Sequence, residues 1–206
     1  WPHGHGKSYM GTGKKAMATK IKWNKLYEYP SSMRTSIEGK RHYEITGEKL
    51  PSVTTILDVT QSAEKREALA AWRASKGEAE ATRIVDESGA RGTAMHKILE
   101  MFILKQGYLD ETEVGKQAHN MALRVIEQGL CNVPEYYGTE CTLYYPGLYA
   151  GQTDLVGIHK GQDAIIDFKQ TNKPKKREWI EDYCLQLAAY GMAHDFVYRT
   201  AITKGV

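Results

Sequence analysis

The second half of the chain has the sequence pattern of three β-strands joined by two short turns, and this pattern limits the possible folds. Residues 139–145 are rich in β-branched and aromatic types and end at Pro146-Gly147, a turn pair. A second strand follows over 148–159, and after a turn at 160–163 a third strand spans 164–169. The pattern predicts an antiparallel meander.

Helical spacing of apolar residues surrounds this meander. Upstream, a short strand is expected at 42–48, with Ser52 as the cap of a short helix. Three further helical segments are predicted before the meander: one or two helices over 63–85 broken near Gly77, one that opens after Gly89 and Gly92 with Thr93 near its cap and stops at Gly107, and one over 113–128. A helix over 178–194 and a strand over 196–202 follow the meander. The element order predicts an α/β fold.

Asp167 and Lys169 are the first candidates for chemistry. They lie two residues apart on the predicted third strand, so both side chains leave one face while Phe168 points to the other. Unpaired charges at the edge of a core are costly, and a bound metal ion would offset that cost. An isolated Asp-x-Lys is more often a plain ion pair, so the motif alone does not decide between the two readings.

Asp154 lies on the preceding strand, and an antiparallel turn would bring its carboxylate towards Asp167. Two carboxylates, a backbone carbonyl and waters are ligands that Mg²⁺ or Mn²⁺ accepts. Gly151 and Gly157 flank Asp154, and glycines inside a strand often mark a bulge or a close approach. The alternative is a polar residue on the sheet surface.

Two pairs of residues, each four apart, lie on predicted helix faces. His96 and Glu100 share a face that borders apolar residues, so His96 fits either a metal ligand or a core histidine. Gln186 and Tyr190 share a face of a later helix. They could orient Lys169, reach a phosphate, or be ordinary helix-surface residues.

Several segments, in a fixed order, resemble a known family. They are Gly92-Thr-Ala-Met-His-Lys-Ile-Leu-Glu100, Gly151-Gln-Thr-Asp-Leu-Val-Gly157, Asp167-Phe-Lys169 and Gln186-Leu-Ala-Ala-Tyr190. Together they resemble the RecB-like branch of the PD-(D/E)XK nuclease superfamily. With Leu50-Pro-Ser-Val-Thr-Thr-Ile-Leu57 and the Trp72 helix, residues 45–200 look most like the mitochondrial genome maintenance exonucleases and their phage relatives.

The resemblance implies a restriction-endonuclease-like core of order α-β-β-β-α-β, a central mixed sheet flanked by helices, and an N-terminal helical extension. It implies that Mg²⁺ or Mn²⁺ is bound and that Lys169 activates or positions the attacking water. Glu100 is a further candidate, either as a metal ligand or as a residue that orients a ligand. The implied ligands are His96, Asp154, Asp167 and the Phe168 carbonyl, and the implied supporting residues are Gln186 and Tyr190.

The implied activity is a metal-dependent DNA exonuclease, a hydrolase acting on ester bonds, with a preference for single-stranded ends. Its expected setting is DNA maintenance, replication or recombination, with proteins of those processes as partners. A structure-selective or restriction-type endonuclease and a catalytically dead DNA-binding module are the alternatives. Some nucleases of this branch bind an iron–sulfur cluster through four cysteines, a pattern that Cys131, Cys141 and Cys184 do not match, so no cluster is expected.

A basic stretch directly after the catalytic strand is the expected contact with a phosphate backbone, although a solvated loop would look the same. Arg91 is a further candidate contact. Residue 170 is Gln where relatives often carry Thr or Ser, which leaves Thr171 to take that place. The basic residues are Lys173, Lys175, Lys176 and Arg177.

Composition sets the remaining limits. The 28 Lys and Arg residues against 25 Asp and Glu are too balanced to prove a polyanionic partner, and no apolar run is long enough to predict a membrane span. Residues 1–20 resemble a flexible leader, 21–206 a single nuclease domain, and about 89–203 its catalytic core. The leader lacks the character of a transit peptide, so a bacterial or phage-infected cytoplasm is expected before a mitochondrial matrix.

Overall fold

The computed structural model describes residues 21–172 and 174–206, so the predicted leader and Lys173 lie outside the described residues. Within these ranges the helices are α1 (Val53–Val59), α2 (Ala63–Lys76), α3 (Glu78–Ile103), α4 (Glu113–Gln128) and α5 (Glu181–Tyr198). The strands are β1 (Lys22–Trp23), β2 (Met33–Ile37), β3 (Lys40–Ile45), β4 (Glu48–Pro51), β5 (Glu135–Tyr145), β6 (Tyr149–His159), β7 (Gln162–Ile166) and β8 (Lys204–Gly205). None of the helices in these ranges is long and apolar enough to cross a membrane.

The predicted meander forms the centre of a mixed sheet, in the order β1-β5-β6-β7-β8. Strand β6 pairs antiparallel with β5 and β7, while β1 and β8 add parallel edges. The β6–β7 hairpin turns at Lys160 and Gly161, which both have positive φ. That pair of angles matches the two-residue turn whose twist suits antiparallel strands.

Helices cover both faces of this sheet. Neighbouring strand residues point to opposite sides, so each face presents apolar side chains that pack against a helix. Leu155 and Ile166 pack with Met95 and Leu99 of α3 and with part of α4. Val156, beside Leu155 in the chain, faces the other core, where it packs with Ile165, Tyr190 and Ala193. The α/β class with helices around a mixed sheet is therefore confirmed.

A second, antiparallel sheet of β2, β3 and β4 precedes the helices in the described part of the chain. Its Tyr43, Ile45 and Leu50 are buried against Ala150 of β6. The predicted N-terminal helical extension is thus only partly right. The strand predicted at 42–48 is the β3–β4 hairpin, and Ser52 caps α1 as expected, its hydroxyl accepting from the Thr55 N–H at 3.0 Å.

Two predicted boundaries were wrong. The second helix does not open after Gly89 and Gly92, because α3 runs through both from Glu78. A glycine inside a helix costs only about 1 kcal/mol, which long packing against α4 outweighs. No strand forms over 196–202: residues 196–198 end α5, where Phe196 packs on Tyr145 with ring centroids 4.5 Å apart, and residues 199–202 are irregular. The last strand is β8.

The third strand also ends earlier than predicted, at Ile166. Asp167 and Lys169 therefore follow the strand instead of lying on it. The Asp167 N–H still donates to the Val206 carbonyl at 3.0 Å, which holds the chain extended just past the strand end. The helix predicted over 113–128 is α4, and the structure adds Thr112 as its N-terminal cap, the hydroxyl accepting from the Gly115 N–H.

Candidate active site

Asp154 is the buried centre of the candidate site, with 6% of the residue exposed. One carboxylate oxygen lies 2.8 Å from Nδ1 of His96, which reaches the sheet from α3. The other accepts a hydrogen bond from the Phe168 N–H. Asp154 thereby links the helix, strand β6 and the segment after β7.

Asp167 and Lys169 meet at the end of β7. The Lys169 ammonium forms an ion pair with a carboxylate oxygen of Asp167, whose side chain is only 6% exposed, and it lies 5.4 Å from the ring centre of Tyr183. The two side chains share a side as the sequence predicts. Phe168 between them packs into the core that Leu155 and Ile166 form with α3, and 7% of the residue is exposed.

Charge crowding shows in the pKa values of this group. Burial raises the pKa of Asp167 and the negative charge of Asp154 adds to the rise, while Lys169 and His96 oppose it. Burial disfavours the imidazolium of His96, yet the hydrogen bond and charge of Asp154 leave the pKa of His96 above its ordinary value. Burial and the neighbouring carboxylate of Asp154 therefore both disfavour the ionised form of Asp167.

Glu140 is an acid of this site that the sequence analysis missed. On β5 it stands opposite Asp154, between the register pairs Thr139 with Leu155 and Cys141 with Thr153. Its φ of 50° is rare for a residue other than glycine and interrupts the strand's regular alternation. Burial and the negative charges of Asp154, Glu100 and Asp167 raise the pKa of Glu140 to about 7. Glu140 therefore belongs to the same carboxylate cluster.

Glu100 lies at the border of this cluster. Its carboxylate accepts from the Lys97 ammonium at 2.9 Å, on the same helix face. Its charge helps to raise the pKa of Glu140, so it acts on the site electrostatically. This position agrees with a supporting role better than with direct ligation.

Gln186 and Tyr190 line the same cleft from α5. The Gln186 amide donates to the Tyr190 hydroxyl at 2.9 Å, and both residues are buried, which sets aside the surface-residue alternative. Tyr190 fits against Gly151 so closely that a Cβ there would overlap its ring. The predicted close approach at Gly151 is confirmed. At Gly157 a Cβ would meet the Glu135 carbonyl oxygen instead.

We expect Gly151→Ala to cost about 1–3 kcal/mol of unfolding free energy and to lower activity at this cleft about tenfold, because the new methyl group displaces the buried Tyr190 ring. Activity and thermal unfolding measured together test this. The matched control is Gly89→Ala in α3, where nothing lies within 4 Å of an added Cβ and activity should not change. Full activity in the Gly151 variant would mean that the Tyr190 position is irrelevant to the reaction.

A cavity of about 280 Å³ connects these groups. Its acidic wall holds Glu140 and Asp167, with His96 and Lys169 beside them. Among the described residues, no three His, Cys, Asp or Glu side chains are spaced to enclose a metal ion as they stand. The donors pair with protein groups instead: Asp154 with His96 and the Phe168 N–H, and Asp167 with Lys169.

The predicted nucleic-acid contacts fall into two groups. Arg91 is buried, and its guanidinium donates to Gln170 at 2.9 Å and Gln117 at 3.2 Å. Gln170 in turn donates to the Ser88 carbonyl, so this pair ties the segment after Lys169 to α3. That bond gives Gln170 a structural purpose. The neighbouring Thr171 is exposed.

The basic stretch lies beside exposed aromatic rings. Lys175 donates to the Tyr183 hydroxyl at 2.6 Å, and the Lys176 ammonium lies 5.3 Å from the ring centre of Trp179. Trp179 is 57% exposed, and Arg177 beside it is exposed as well. Cations and an open indole ring thus share one surface next to Lys169.

A scan of protein-family models and a search of curated proteins found no match to this chain. The family resemblance of the sequence motifs therefore remains a prediction.

Proposed function

We propose that this protein is a divalent-metal-dependent nuclease that hydrolyses phosphodiester bonds in DNA and acts from single-stranded ends. The observation that carries the proposal is that His96, Asp167 and Lys169 line one cleft from separate elements, with buried Asp154 bonded to His96 directly behind them. An acidic pair beside a lysine suits a phosphate substrate, because the acids hold a cation and the lysine adds positive charge of its own.

The donor set fits a hard divalent cation. Asp154, Asp167 and Glu140 offer carboxylate oxygens, and the raised pKa values of Asp167 and Glu140 show carboxylates that repel one another in a buried place. Mg²⁺ or Mn²⁺ is expected on these residues, with His96 and the Phe168 carbonyl as further ligands. The ion would supply charge neutralisation and a water of lowered pKa.

Lys169 is the residue proposed to handle the nucleophile. Its side chain is 34% exposed and its ammonium is already held at the carboxylate of Asp167, so it faces the cleft without being sealed from solvent. From there it donates a hydrogen bond to the attacking water and stabilises the charge that develops on the phosphate. Gln186 and Tyr190 fix the opposite wall through their mutual hydrogen bond.

The surface around Trp179 supports a single-stranded substrate. Base stacking on an aromatic ring favours unpaired bases in any sequence, and nearby cations follow the backbone. Lys175, Lys176 and Arg177 supply such cations beside Trp179. A strand lying across this surface would enter the cleft beside Lys169.

An assay on labelled DNA tests the proposal. Single-stranded, duplex and flap substrates are incubated with Mg²⁺, Mn²⁺ or a chelator, beside a covalently closed single-stranded circle. We expect mononucleotides or short products from linear single strands in the presence of metal, and an intact circle. Cleavage of the circle would establish an endonuclease instead, and binding without cleavage in either metal would establish a DNA-binding module.

A further inference from the structure

The small sheet of β2, β3 and β4 places two arginines over the candidate active site. Arg34 pairs in register with Tyr43, and Ser36 pairs with Arg41. Directly opposed residues share a face, and so do alternate residues of one strand, so Arg34 and Arg41 lie on the face of Tyr43. That face is turned towards β6, because Tyr43 and Ile45 are buried against Ala150.

Both arginines line the cavity that Glu140 and Asp167 line from the other side. Neither guanidinium forms a hydrogen bond or ion pair within the described residues, and so neither uses the acids across the cavity. Opposite charges that share a cavity without pairing leave room for a ligand between them. A phosphate backbone fits such a space, with one phosphate towards the guanidinium groups and the next towards the divalent cation that the carboxylates are proposed to hold.

The size of the cavity limits what can lie there. Its volume of about 280 Å³ is at the lower end of ligand pockets, which run from roughly 300 to 1,000 Å³. A space of this size favours a narrow ligand, such as the backbone of one strand, over a duplex. The small sheet covers one side of it.

We propose that Arg34 and Arg41 bind the backbone phosphate next to the scissile one, so that the small sheet selects a single strand for the site. This inference rests on the proposed nuclease function and adds a substrate contact to it. A planar guanidinium can donate two parallel hydrogen bonds to the oxygens of one phosphate, which suits arginine to this contact.

Binding of a labelled oligothymidine, measured by fluorescence anisotropy with a chelator present, tests the inference without any cleavage. We expect Arg34→Ala and Arg41→Ala each to weaken binding about tenfold, the worth of one charge-assisted hydrogen bond. Each should also lower the slope of log K against log salt by about 0.7, since one single-strand phosphate contact is lost. Arg124→Ala, an exposed arginine on α4, is the matched control and should bind like the wild type.

A second measurement locates the contact. One methylphosphonate linkage, which is neutral, is moved stepwise along the oligonucleotide. We expect one position to weaken wild-type binding and the same position to have no effect in the Arg34→Ala, Arg41→Ala double variant. Both substitutions are at exposed positions, so thermal unfolding should stay at the wild-type temperature.

The outcomes separate the two proposals. If the wild type binds and cleaves while the arginine variants bind equally well, the proposed arginine–phosphate contact is wrong and the nuclease proposal is unaffected. Arginine-dependent binding without metal-dependent cleavage supports the contact and overturns the nuclease. Wild-type protein that binds no oligonucleotide in the chelator overturns the arginine contact, and the cleavage assay with Mg²⁺ or Mn²⁺ decides the nuclease proposal separately.

Discussion

Replacing Lys169 with alanine or Asp167 with asparagine is expected to lower cleavage of single-stranded DNA about a thousandfold, with binding of the same DNA within a few-fold of the wild type. The two side chains form one ion pair at the cleft, so each substitution removes a charge from the reacting region. We expect DNA affinity to depend mainly on cations elsewhere, among them Lys175 and Lys176, which remain in place.

The matched control is Lys116→Ala. Lys116 also pairs with an acid, Glu113, but on the exposed side of α4. Its removal should leave both cleavage and binding unchanged. Three measurements are needed: single-turnover cleavage rates, DNA binding by fluorescence anisotropy, and thermal unfolding to show that each variant is folded. Substantial residual cleavage in both site variants would mean that the catalytic centre lies elsewhere.

Glu140→Gln is expected to lower cleavage about a hundredfold while making the metal-free protein more stable above neutral pH. The loss of activity follows from the loss of one anionic oxygen donor. The gain in stability follows from the pKa of about 7 that burial and neighbouring acids impose on Glu140. A buried carboxylate that ionises reluctantly weakens the folded state whenever it is ionised.

The pH window follows from the direction of this shift. Between the ordinary glutamate pKa of 4.5 and about 7, the folded protein binds more protons at Glu140 than the unfolded chain does. The unfolding free energy of the wild type therefore falls as pH rises through this window, and glutamine removes that fall. The unfolding free energy of Glu140→Gln minus that of the wild type should therefore be about 2 kcal/mol larger at pH 8 than at pH 5, a figure reduced for solvent screening.

Urea unfolding of both proteins from pH 5 to pH 8, in a chelator, measures this difference. Glu127→Gln, on an exposed position of α4, is the control and should track the wild type at every pH. A constant offset between Glu140→Gln and the wild type over the whole range would show that Glu140 is not crowded by the other carboxylates.

Local signals were enough to predict much of the fold. Pro146-Gly147 and Lys160-Gly161 end strands at turns because positive φ occurs at Gly147, Lys160 and Gly161, as turn residues allow. Helix α4 spans 113–128 as predicted, because its apolar residues recur at helical spacing, and Thr112 caps its start. Antiparallel pairing then aligns β6 with β7, which is why Asp154 comes to the segment after β7.

Features that depend on long-range packing were beyond such signals. Glu140 looks like a solvent-facing acid in a strand, and only its positive φ and its register with β6 bring it to the cluster. Arg34 and Arg41 reach the cleft because the small sheet packs on Ala150 of β6, a contact that no local pattern encodes. The glycines of α3 and the aromatic end of α5 suggested breaks and a strand, and packing overrode both.

Titration of Mn²⁺ into the protein tests the central claim most directly, because it asks whether the acidic cluster binds a divalent cation at all. We expect wild-type protein to bind Mn²⁺, Asp167→Asn to weaken this binding about a hundredfold or more, and cleavage to appear over the same Mn²⁺ concentrations that fill the site. Wild-type protein that binds no Mn²⁺, or an Asp167→Asn variant that binds it equally well, would show that the acidic cluster is not a metal site.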